Sequence, residues 1–274
     1  IDRLPHGDKR LDATVLTGHA LAALGRLEEA DAAWEEGYRQ AGSETNLDHT
    51  RALEIASMAA VFAHLNHQPA LAAKWSGRVH QRRDLLEMGD IFAQRMHVLS
   101  LLADVLEAAY ATDQDPHLAR QKMQALLDKP FDVPVVKDAA EILLLMRAQR
   151  FEEAAAVLPR LPPCLAVPDT VLLAVEKNDI ATARAQLEPL SRIVNACMAG
   201  DDTLAQTWTV MLAESAALLA SLAADAGDLT EAARARDLFR SIWRDADEDL
   251  PAVRRIAEVE RRLNDAAAPP SPSE

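Results

Sequence analysis

Three histidines, a run of alternating aspartates and a stripe of cations are the residues here whose types and spacing invite chemistry. His64 and His67 stand three apart with His80 downstream, and two imidazoles about one helical turn apart can ligate a metal. Pro69 follows closely, so a turn separates them, and hydrogen-bonded turn histidines are the plainer expectation, with no metal held. Asp245, Asp247 and Asp249 alternate like the start of a calcium loop, but the sixth position is Leu250 and the twelfth Ile256, where that loop needs Gly and Glu. A helix stop with Asp249 as N-cap and Pro251 in the first turn explains the same acids. Lys74, Arg78 and Arg82, with Arg83 beside them, recur every four residues and form one positive stripe on a helix. That stripe is either a solvated face or a convex contact for an acidic partner. A second copy of the chain would qualify, because 201–232 holds six acids and no Lys or Arg. No nucleophile elbow, phosphate loop or HExxH helix occurs, so the chain reads as a binding protein rather than an enzyme and needs no cofactor.

The composition fits that reading. Of 274 residues 49% are hydrophobic, which excludes wholesale disorder, while aromatics at 4% and abundant Ala, Leu, Glu and Arg favour helices over sheet. A formal net charge of −14 disfavours a nucleic-acid surface, since phosphate neutralisation needs clustered Lys and Arg. No apolar run is expected to reach the ~18 residues a membrane span needs, and the two cysteines, Cys164 and Cys197, lack the spacing of a zinc site and are expected to be structural thiols. The N-terminus has neither leader nor start methionine. The chain is therefore expected to be a cytoplasmic portion of something longer.

The elements that must position these residues show first in 14–41. One helix carries Val15, Leu16, Ala20, Leu21, Ala23 and Leu24, stops at Gly25, and gives way from Leu27 to a second carrying Ala30, Ala33, Trp34 and Tyr38. Gly18 allows close approach and Ala30 fills the crossing. One hairpin cannot bury its own apolar face, so stacked copies are expected: 11–42, 47–87, 91–128, 135–160, 169–199 and 203–245. Proline links near 130–134 and 162–168, a cap helix over 250–264 and a disordered tail at 266–274 complete the array. Aligning Asn66 with Gly25 places Trp75 opposite Trp34 and sets the first two hairpins 41 residues apart. Trp34, Trp75, Trp208 and Trp243 are expected in the core.

G-R-L-E-E-A at 25–30, F-E-E-A at 151–154 and G-D-L-T-E-A at 227–232 resemble the tetratricopeptide repeat, and the resemblance covers most of the chain. The irregular spacing and the closing segment 238–251 look like repeat arrays at the ends of multidomain bacterial signalling proteins. The resemblance implies an all-α, α-α superhelix that binds a protein or peptide, with small-molecule sensing as a variant and an unrecognised enzyme pocket as a remoter one. The peptide-carboxylate clamp of chaperone-binding members does not carry over. Its Lys and Asn positions match Val15, His19, Ala56 and Ala60 here. In a solenoid of this kind the inner faces of the first helices form a groove, which the register lines with Asp12, Val15, His19, Ala22, Ala56, Ala60 and His64.

Overall fold

Five helix pairs turn on the same hydrogen bonds among the described residues. The computed structural model describes residues 6–42, 46–83, 100, 102–108, 121, 124, 134–161, 163–197 and 203–267. Gly25, His67, Gln149, Asn178 and Gly227 take left-handed conformations with φ of 76°, 54°, 57°, 57° and 78°. After each, an N–H reaches back five residues: Arg26 to Leu21, Gln68 to Ala63, Arg150 to Leu145, Asp179 to Ala174 and Asp228 to Ala223, all at 2.8–2.9 Å. This is a Schellman closure, which satisfies carbonyls that a helix end otherwise leaves orphaned. Five residues beyond the left-handed position stand Ala30, Ala72, Ala154, Ala183 and Ala232, none more than 2% exposed, so each second helix crosses its partner on an alanine.

The five described helix pairs share this turn, with one correction to the expected register. The second turn centres on His67, not Asn66, so Ser76 rather than Trp75 is the counterpart of Trp34, and the first two hairpins lie 42 residues apart. Asn66 is buried and donates its side-chain amide to the Phe62 carbonyl at 2.8 Å.

Every regular element among the described residues is helical, and no strand occurs among them. In chain order these are α1 His6–Ala23, α2 Leu27–Ala41, α3 Asn46–Leu65, α4 Pro69–Arg83, a helical stretch 102–108, α5 Pro134–Arg147, α6 Phe151–Val157 with a 3-10 turn Leu158–Arg160, α7 Pro163–Glu176, α8 Ile180–Cys197, α9 Thr203–Asp225, α10 Leu229–Ile242 and α11 Pro251–Ala267. The prolines do not form extended links where they are described. Pro134 and Pro163 open α5 and α7, a position where a missing N–H costs nothing. The third expected hairpin, 91–128, lies largely outside the described residues, as do 268–274 of the tail.

Two helices form the centre. In α3 every residue from Ala52 to His64 is buried, and α9 packs against α1, α3, α7, α8, α10 and α11. A helix apolar all round belongs inside a bundle. The Gln206–Asp225 stretch of α9 is long and apolar enough to cross a membrane, which the sequence reading did not register, and 72% of that window is buried here among other helices.

The C-terminal pair does not end the stack. Helix α9 lies against α1 and α3, and the Trp243 indole N–H donates to the Ala23 carbonyl at 2.9 Å. The Asp247 carboxylate accepts from the N–H groups of Leu27 at 2.6 Å and Glu28 at 3.1 Å. The first and last described hairpins are therefore neighbours. Helix α11 flanks α9 and α10 through Ala252, Val253, Ile256 and Val259, and Arg240 pairs with Glu260 at 2.9 Å.

Candidate functional site

The residues expected to line a groove are inside the protein. Val15, His19, Ala22, Ala56, Ala60 and His64 are all buried, while the side chain of Asp12 lies outside the described residues. His19 packs on rings from α2 and α3 and His64 meets α4, and α1 and α3 also touch each other and α9, so these faces lie at helix contacts instead of on an open channel. His19 sits between the rings of Trp34 at 6.2 Å and Phe62 at 5.9 Å, and neither ring nitrogen has a hydrogen-bond partner. Burial lowers its pKa to about 3, so it is a neutral aromatic plate. His64 meets the Ser76 hydroxyl at 3.3 Å, and burial lowers it to about 4 against the opposing pull of Glu107.

The cation stripe is already occupied within the chain. Lys74 Nζ lies 2.7 Å from both Asp31 and Glu35, Arg78 pairs with Glu35 at 2.8 Å, and Arg82 Nε donates to the Tyr38 hydroxyl at 3.1 Å. The Arg78 guanidinium also stacks over Trp75 at 4.4 Å and Tyr38 at 4.6 Å. Burial pulls Glu35 upward, but its hydrogen bonds from Lys74 and Arg78 outweigh this and hold it below the usual carboxylate range. A stripe expected to face solvent or a partner is a ladder that rails α4 onto α2.

The aspartate run is likewise put to structural use. Asp247 caps α2, not its own helix, and Asp249 accepts from Gln68 at 3.4 Å, while α11 begins at Pro251. All four tryptophans are buried, as expected of core residues, and the side chains of Cys164 and Cys197 lie outside the described residues. Of the three histidines, His67 occupies a turn and His80 meets Glu107 Oε2 at 3.3 Å, a partner that no sequence spacing pointed to.

What the surface does offer is one face of α1 continued by Leu24, the first residue of the turn that follows it. Ala13, Leu16, Thr17, Ala20 and Leu24 are exposed, the two leucines at 44% each. From Ala13 to Leu24 the sole ionisable residue is the buried His19, and Thr17 turns its hydroxyl onto the Ala13 carbonyl at 2.7 Å. The result is an uncharged helix face in a chain of which 26% is charged. Sequence reasoning gave Leu16 and Leu24 to the packed side, because a helix with apolar residues on two faces does not reveal which face is covered. Compared with family models, curated proteins and solved structures, the chain matches none.

Proposed function

We propose that the chain is a tetratricopeptide-like helical-hairpin module that binds a protein or peptide partner on the exposed face of α1. The observation that carries this is the pair Leu16 and Leu24, eight residues apart with exposed Ala20 between them. Apolar anchors at i, i+4 and i+8 are what one helix offers to an apolar groove or to another helix. Isolated exposed leucines are ordinary, whereas apolar residues grouped on a face without charge have the composition of an interface centre.

The test replaces Leu16 and Leu24 together by Glu and compares capture of partners from lysate of the source organism with wild type, alongside thermal melting. The proposal expects capture to fail with melting within about 2 °C, because exposed positions contribute little to folding. Retained capture would remove α1 as the working face. Site-specific photocrosslinking from position 16 then gives the contact directly, and an absence of adducts there counts against the proposal.

A further inference from the structure

We propose that His80, Asp104 and Glu107 form a binding site for a divalent cation of the zinc class, held between α4 and the helical stretch 102–108. One potential ligand atom from each residue lies within 4.8 Å of those from the other two, with His80 Nε2 and Glu107 Oε2 3.3 Å apart. Metal–ligand bonds of about 2.0–2.2 Å put two ligands of one ion roughly 3–4 Å from each other, so only side-chain rotation is needed to close the site.

The packing explains why these three atoms converge. Asp104 and Glu107 are three apart and therefore share one face of their helix, while Ala103, Val105, Leu106 and Ala108 are buried and fix its rotation. On α4 the buried Trp75 and Val79 hold the helix down, and His80 follows directly with its side chain 52% exposed. Ser76, one turn before His80, is bonded to buried His64, which anchors the same part of α4. Two backbones set by their cores thus present three ligands to a place that solvent reaches.

The donor set selects the ion. Two carboxylates beside one imidazole carry more negative charge than the imidazole can balance, and a dication restores neutrality within the group. The net charge of −14 raises cation concentration around the chain in addition. One nitrogen and two oxygens suit a borderline ion such as Zn²⁺ or Co²⁺ better than calcium, which takes six or more oxygens. Half-exposure of His80 leaves at least one coordination position for water, and the ion ties the stretch 102–108 to α4.

The experiment uses the full chain, stripped with a chelator and dialysed, then titrated calorimetrically with zinc chloride. Cobalt chloride serves as a second probe through its visible absorption. The expectation is one ion per chain in the micromolar range or tighter. His80→Ala should weaken binding about tenfold or more, and Asp104→Asn combined with Glu107→Gln should do the same. His67→Ala should leave it unchanged. His80 is half exposed, so circular dichroism of His80→Ala should match wild type. Zinc binding unaffected by His80→Ala would overturn the proposal, and so would no binding at ~100 μM zinc, which would reduce the cluster to an ordinary ion pair.

Discussion

Four buried ionisable residues pull the protein's pH dependence in opposite directions. His19 and His64 have pKa values lowered by burial to about 3 and about 4, so the unfolded chain binds their protons first, and stability is lost as pH falls below 6.5. Asp169 and Glu214 are raised by burial to about 7, Glu214 despite Arg255 at 3.5 Å, so their contribution is lost as pH rises from about 4 to 7. The two pairs offset each other, and wild-type stability should be nearly flat between about pH 4.5 and 6.5. Asp169→Asn removes one arm. Relative to wild type it should gain on the order of 2–3 kcal/mol between pH 5 and pH 8, read from urea midpoints. An equal difference at both pH values would mean that Asp169 is ionised in the fold. His19→Phe is the mirror case: near neutral at pH 7 and more stable than wild type at pH 4.5, because no imidazole then has to charge on unfolding. None of these roles could be read from the sequence, since a histidine or acid looks the same on a groove as in a core.

The hairpin is the element that was legible, and its residue types show why. Gly25, Asn178 and Gly227 are residues that tolerate left-handed backbone, so the turns they mark were placed correctly. At the second turn Asn66 and His67 compete, and the usual preference points to Asn66. The structure instead buries Asn66 against the preceding helical turn and leaves His67 in the strained position. That one-residue slip moved the expected groove positions of α3 from Ser57 and Val61 to Ala56 and Ala60. Gln149 is likewise a left-handed residue other than glycine, at φ 57°. Gln149→Gly should therefore stabilise by roughly 0.5–1 kcal/mol, visible as a higher melting temperature. Gly18→Ala should do the reverse despite its better helix propensity, because the added Cβ would lie 2.6 Å from the fully buried Trp34 ring. A cost of ~1–3 kcal/mol is expected. A neutral outcome would mean that α1 and α2 can separate without loss.

At the scale of the whole molecule the helical class was legible in composition and periodicity, but the neighbour relations were not. An open array capped by its last helix was the natural expectation, because a periodic pattern carries no record of which copies touch. Helix α2 has Arg26 at its N-cap, which has no side-chain oxygen to accept from the first turn, and no local side-chain bond replaces it. The acceptor is Asp247, 220 residues downstream from Leu27, and the joint is tightened by the Asp247 N–H donating to the Gly25 carbonyl at 3.0 Å. Gly25 itself has no room for a side chain, since a Cβ there would lie 2.7 Å from Ala246 and 3.0 Å from the Trp243 ring. Asp247→Ala deletes a charge-assisted cap while leaving α10 and α11 chemically intact. It should cost about 1–2 kcal/mol. Because the cap joins two hairpins, amide hydrogen exchange should accelerate in 24–30 as well as in 243–250. Acceleration confined to 243–250 would show that the first hairpin is held without the last, and the joint would then be a contact of convenience rather than the closure of the fold.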